Sequence, residues 1–267
     1  MIYASRISAK VSLLPLLNQK ISIASAQLFG LKANLYQQTP QSKHNFQFVL
    51  DSLASKDTTK HTPLDLHIGS LIIRHGAVKY DKRYIVSKSG VFSPAHISIS
   101  DLSTHIIANH ITDDAINLHI KKLAFRDKSG LQLNSLSFKL DANKREASLK
   151  EFELQLPHSD ITLGDIHATY KFDNGKLVMP TLQYSGSIEQ SKITLSDIAC
   201  LLPIFRHFED AVFFETQFTG TSTSLRYQKI NFKTGSGSIN LQAKGRISDW
   251  NSRPAWDVDI ANLNLTE

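Results

Sequence analysis

Residues 64–81 read "LDLHIGSLIIRHGAVKYD", an alternation that changes phase in its middle. Leu64, Leu66 and Ile68 alternate with polar residues, as one face of a β-strand does. Gly69 and Ser70 then intervene, and the apolar positions resume at Leu71 and Ile73. With φ apolar, the unit is φxφxxφxφ. It recurs at Ile21-Ile23-Ala26-Leu28, Leu118-Ile120-Leu123-Phe125 and Leu131-Leu133-Leu136-Phe138. Further copies are Ile161-Leu163-Ile166-Ala168 and Val258-Ile260-Leu263-Leu265, with a partial one at Ile97-Ile99-Leu102. The copies are irregularly spaced, which excludes a fixed-period solenoid.

Two readings of the slip compete. The two middle residues form a tight hairpin turn, or they form a β-bulge that returns the apolar side chains to one face and bends the strand. Gly69-Ser70, Asn134-Ser135 and Gly164-Asp165 tolerate a turn. Ala24-Ser25 and Lys121-Lys122 do not, because a type I′ turn needs positive φ at both central positions. The bulge is therefore favoured. Bulges in neighbouring strands curl a sheet and keep its concave face apolar. Such a face either closes into a dry core or stays open as a groove, and periodicity alone favours the dry core, since a large exposed apolar patch is a liability.

The rest of the chain agrees with an all-β, mainly antiparallel architecture. Alternation appears at Ile7-Ala9-Val11, Phe152-Leu154-Leu156, Ala168-Tyr170-Phe172 and Ile239-Leu241-Ala243. Turn signals separate such runs: "DKSG" at 127–130, "DANK" at 141–144, "FDNG" at 172–175 and "KTGSGS" at 233–238. Two stretches predict short helices. Phe46, Val49, Leu50 and Leu53 share one helical face ahead of a polar loop. Ile198, Leu201, Leu202 and Phe205 do the same, with Ser196 as N-cap and Pro203 dividing the segment into two pieces. "SLLPLL" at 12–17 predicts a turn or one helical turn. The order is strands over 1–40, helix and linker over 41–62, strands over 63–195, a helical insertion over 196–210, and strands over 211–267.

Of the 267 residues, 41% are hydrophobic and 20% charged, a globular composition. No run of 18 apolar residues exists to cross a bilayer as a helix. "MIYASRISAK" lacks the apolar core of a signal peptide and reads as a strand, as does "VDIANLNLTE" at the other end. Both ends are thus expected to be cuts in a longer protein. The net charge of +6 is spread along the chain rather than gathered with aromatics, which argues against nucleic acid as a partner. Cys200, the single cysteine, sits in the apolar run "IACLLPIF" and is expected to be buried and unreactive.

No constellation in the sequence carries catalytic or metal chemistry. His105 and His110 are five apart, on opposite faces of a strand or about 140° apart on a helix, and are expected as solvated loop residues. "YSGS" and "TGSGS" lack the G-x-S-x-G frame, and no phosphate-binding glycine loop opens a helix. The expectation is a protein with no enzymatic activity, no cofactor and no metal.

A family resemblance shifts the balance between dry core and groove. "NFQFVLDSLASKDTTKHTPLDLHIGSLIIRHGAVKYD", "LHIKKLAFRDKSGLQLNSLSFKL", "LQLPHSDITLGDIHATY" and "ITLSDIACLLPIFRHFEDAVFFETQFTGTSTSLRYQKINFKTG" resemble the TamB/AsmA-like family of Gram-negative envelope proteins, in its Bacteroidetes form. The resemblance covers most of the chain and rests on pattern, not on a short signature. It implies a long, curled, taco-like periplasmic sheet, anchored in the inner membrane by a helix this chain lacks. It also implies that the apolar interior carries phospholipid acyl chains toward the outer membrane, and that an outer-membrane barrel partner meets parts of the parent protein outside this segment. The floor positions expected to line the groove are Leu66, Ile68, Leu71, Ile73, Leu118, Ile120, Leu123, Phe125, Leu131, Leu133, Leu136 and Phe138, with Leu154 and Leu156 from a neighbouring strand. The alternatives are a non-catalytic structural β-sandwich and a closed-pocket lipid-binding module.

Overall fold

A computed structural model describes residues 2–12, 22–47, 67–111, 114–173, 175–208, 210–250 and 252–266. Its strands form a mixed, largely antiparallel sheet of 17 strands and one separate two-stranded ribbon. Two compact units divide the chain. The first holds Met1–Ala108, Lys121–Leu133 and Cys200–Pro203, and the second holds Asn109–Ile120, Asn134–Ala199 and Ile204–Glu267.

In the first unit, β1 (Ile2–Tyr3), β2 (Arg6–Ser12), β3 (Ser22–Phe29) and β4 (Lys32–Gln37) precede β5 (His67–Ile68), β6 (Ser70–Lys82) and most of β7 (His96–Ile111). β3 and β4 run parallel to β5 and β6: Ile23 lies opposite Ile68, Leu28 opposite Ile73 and Leu35 opposite Tyr80. Parallel neighbours need a crossover of a dozen or more residues. Residues 38–66 supply it, and of these only 38–47 are described. β8 (Ala115–Asp127) and β9 (Gln132–Asn143) contribute residues to both units.

The second unit continues with β10 (Glu146–Gln155), β11 (Asp160–Leu163), β12 (Ile166–Thr169), the ribbon of β13 (Phe172–Asp173) and β14 (Lys176–Leu177), then β15 (Gln183–Thr194), β16 (Ala211–Thr221), β17 (Ser224–Thr234), β18 (Ile239–Ser248) and β19 (Ala255–Leu265). From β15 to β19 each strand pairs antiparallel with the next. All four turn signals fall at strand junctions, and Gly237 takes φ +77° at the β17–β18 tip.

Asp210 clasps that tip. Its carboxylate accepts from Ser236 Oγ at 2.7 Å and Ser236 N at 3.1 Å. These bonds favour the charged form and lower its pKa, the Ser236 hydroxyl contributing most. A depressed carboxylate contributes stability above its unfolded pKa and loses it as pH falls. Asp210→Ala is therefore expected to lower the melting temperature at neutral pH and to converge with the parent below the ordinary carboxylate range. Parallel curves down to acid pH would refute this.

The expected helical insertion needs correction. Leu195–Ile198 and Pro203–His207 are short 3-10 turns, not α-helices. Proline opens the second of them, so the division at Pro203 holds. Thr194, not Ser196, sits at the N-cap and makes no side-chain capping bond. The helix expected from Phe46 through Leu53 lies outside the described residues from 48 on, as does most of "SLLPLL".

The slips at Ala24 and Ala261 are bulges, and those at Gly69-Ser70 and Gly164-Asp165 are breaks between strands of one direction, not hairpins. β5 and β6 flank Gly69 and both run parallel to β3, so the chain does not reverse there. On β3, Ser25 faces Lys10 and Ile23 faces Val11, leaving Ala24 as the extra residue. β8 runs unbroken through Lys121 and Lys122. On β19, Asn262 faces Gln242 and Ile260 faces Ala243, leaving Ala261 extra. β11 and β12 both run antiparallel to β10 on either side of Gly164-Asp165. Three further irregularities hold residues with left-handed backbone: His75, Asp101 and Glu151, at φ +53°, +53° and +52°.

Candidate functional site: an apolar sheet face

Directly paired residues share a face of a sheet, so the registers trace what each face carries. In the second unit one face reads, from β11 to β19, Leu163, Ile188, Thr216, Ile230, Ala243 and Ile260. A parallel row reads Ser191, Phe214, Phe232, Leu241 and Leu263, and another Gly186, Phe218, Tyr227, Gly245 and Val258. A fourth runs through Ala168, Tyr184, Gly220, Leu225, Ile247 and Trp256. The polar members are satisfied internally. Ser191 Oγ accepts from Thr162 N at 3.0 Å and donates to Glu189 O at 2.9 Å. Burial pushes the Tyr184 and Tyr227 phenols above their usual pKa.

The opposite face is mainly polar along these strands. One row reads Glu215, Asn231, Gln242 and Asn262. Another reads Asp160, Lys192, Phe213, Lys233, Asn240 and Asn264, with Phe213 its single apolar member. The first unit repeats the division. Ile7, Leu28, Ile73 and Thr104 form one row, and Ala9, Ala26, Leu71 and Ile106 the next. Ile72, paired with Gln27 and His105, interrupts its polar side.

Along β15–β18 the members of these rows are half-buried or buried, and on β19 they are exposed. Among the described residues the buried apolar side chains are Ile73, Leu133, Leu156, Ala199, Cys200 and Ala243. Every residue of β19 is exposed, including Trp256 at 68%, Val258 at 56% and Ile260 at 53%. A sandwich core would hold such side chains nearly water-free.

The floor positions expected from sequence distribute as follows. Leu66 lies outside the described residues, and so does the side chain of Ile68. Leu71 and Ile73 stand in the apolar rows of the first unit, Ile73 only 8% exposed. In the second unit Leu136 pairs with Leu154, and Leu154 with Ile161. Phe138 stacks on Phe152 with ring centroids 6.3 Å apart. Leu118, Ile120, Leu123 and Phe125 are half-buried along β8, where Lys121 and Lys122 are exposed. Leu131 precedes β9, where its carbonyl accepts from Asp127 N. Leu133 is buried in β9, and Leu156 is buried just beyond β10. The structure adds floor residues beside these, Ala147, Leu149 and Phe152 next to Leu154 among them. Ala147-Leu149-Phe152-Leu154 and Leu225-Tyr227-Ile230-Phe232 carry the same φxφxxφxφ signal. β16 and β18 contribute by plain alternation.

One cavity of about 340 Å³ lies beside Phe214 and Phe232. Another, about 530 Å³, sits among Lys79, Asp81, His96, Ser98 and Asp127, and none of the expected floor residues lines it.

The chemistry-bearing side chains are structural. Asp197 accepts from Ser159 Oγ at 2.7 Å and from His158 N at 2.9 Å, and its other oxygen lies 2.9 Å from His158 Nδ1. Serine, histidine and aspartate meet here without a nucleophile–base contact, because Ser159 bonds the carboxylate and is 1% exposed. The trio locks the turn after β10. His105 lies half-buried within β7 rather than in a solvated loop, and the side chain of His110 is outside the described residues. Burial raises the Cys200 thiol above its ordinary pKa. Among the described residues no group of three histidine, cysteine, aspartate or glutamate side chains is placed to hold a metal ion. Comparison of the chain with protein-family models, with curated proteins and with solved structures finds no match.

Proposed function

We propose that this chain is a groove-forming segment of a TamB/AsmA-like envelope protein, and that its apolar sheet face carries phospholipid acyl chains between the inner and outer membranes. The observation that supports this most is the two-faced sheet: mainly apolar rows cross β15–β19, the other side is mainly polar, and the apolar side is half-buried along β15–β18 and exposed on β19. Each methylene removed from water contributes about 0.8 kcal/mol, so an acyl chain lying across several strands is held without any specific polar contact. The rows run perpendicular to the strands, and strands stand about 4.8 Å apart, so five strands offer roughly 19 Å of continuous floor. Bulges in β3, β10, β15, β17 and β19 each insert an extra residue, and a bulge bends its strand. The parent protein would work in the periplasm, tethered to the inner membrane, and its support of outer-membrane protein assembly would run through a barrel partner met elsewhere on that protein. The chain then needs no catalytic residue. A closed sandwich or closed pocket would need a second layer over the apolar face.

The test is direct. The purified chain is extracted with organic solvent and the extract is read by mass spectrometry. Phospholipid near one molecule or more per chain is expected. A lipid-free extract from a chain that unfolds cooperatively would overturn the proposal in favour of a structural module.

A further inference from the structure

On the polar side of the second unit two like charges stand directly opposite each other. Arg226 on β17 and Arg246 on β18 are cross-strand partners. Their row continues through Thr219, Ser185 and His167. Like charges so placed repel and weaken a sheet. The same residues line a shallow depression of about 500 Å³, whose other walls are mostly hydroxyl and amide groups and whose lining includes no carboxylate. Asp257 is the next residue of the row, opposite Arg246 on β19. Among the described residues neither arginine forms an ion pair with it or with any other acid, whereas neighbouring Lys244 takes Asp259 at 3.1 Å.

We infer that this row is a binding site for a phosphate-bearing anion, a phosphate mono- or diester. Two guanidinium forks side by side match the oxygens of one phosphate, and charge-assisted bonds of this kind are the strong ones. Serine and threonine hydroxyls along the row supply further donors. A single bound anion turns the repulsion between the arginines into shared attraction. The site lies on the face away from the acyl-chain rows, so it stands whether or not those rows hold lipid. Its phosphate is either a lipid headgroup or a small soluble ester.

Thermal unfolding of the whole chain, in phosphate against chloride at matched ionic strength, tests this. Inorganic phosphate is expected to raise the melting temperature by about 2–4 °C over chloride. Arg226→Gln is expected to melt higher than the parent in chloride, because the repulsion is gone, and to lose the phosphate response. Arg246→Gln should do the same, while Lys244→Gln should keep the response. Flotation with phosphatidic acid vesicles, against phosphatidylcholine alone, separates the sources. Arginine-dependent capture identifies a lipid headgroup, and a phosphate response without capture identifies a soluble ester. An equal melting temperature in phosphate and chloride, or a response that survives both arginine substitutions, overturns the inference.

Discussion

Phe214→Asp is expected to destabilise the chain by about 3 kcal/mol, whereas Phe213→Asp, one residue away, is expected to leave stability within about 1 kcal/mol of the parent. Phe214 belongs to the apolar row between Ser191 and Phe232. A carboxylate there forfeits the ring's contacts and sets a charge against apolar neighbours. Phe213 belongs to the polar row, between Lys192 and Lys233. A carboxylate there gains two cationic cross-strand neighbours. Urea unfolding of the two variants measures the contrast, and lipid extraction should show loss only for Phe214→Asp. Equal destabilisation at both positions would mean that the two sides of the sheet are not chemically distinct.

The matched breaks in β10 and β11–β12 carry the second large effect. Leu149 faces Ile166 and Phe152 faces Leu163, so each partner spends two residues between the same two pairs. Deleting Asp165 alone would set Leu163 opposite Glu151 and Ile161 opposite Glu153. A one-residue slip of this kind sends side chains to the wrong face. The expected cost is about 3 kcal/mol, set by two apolar side chains that lose part of their burial. Deleting Glu151 as well should restore most of the stability. It evens the β9–β10 register, where Lys150 faces Lys139 and Glu153 faces Ser137, and the first deletion evens the β15 side. The double deletion straightens these strands, so it should fold yet retain less lipid. A double variant no more stable than the single one would refute the matched-bulge account.

The slip at Gly69 was legible because two apolar runs of opposite phase can share a face only if the backbone absorbs a residue. The same rule placed the irregularities at Ala24, at Ala261 and between Ile99 and Leu102. It also holds at Leu149–Phe152 and Tyr227–Ile230, where the pattern is equally clear. Direction was not legible. Alternation in "SIASAQLF" and "SLIIRHGAVKY" says which side chains share a face, not whether the strands run together or opposed, so the parallel pairing of β3 with β6 is new information. Helical spacing around Pro203 is also met by two separate 3-10 turns, with Ile198 ending the first and Phe205 inside the second. The polar members of the apolar rows, Ser191 and Thr216, were hidden because only backbone partners make a buried hydroxyl tolerable there.

The contrast between the parallel crossover and the meander from β15 to β19 governs the order in which the molecule can assemble. Closing a loop costs entropy that grows with its length, and contacts distant in sequence slow folding. The hairpins β16–β17 and β17–β18 join residues only a few positions apart at their tips, so they zip up from the turn outward. The pairing of β3 with β6 must wait until the 29-residue crossover 38–66 has brought its ends together. Pulsed hydrogen exchange during refolding should therefore protect the amides of β16–β18 before those of β3.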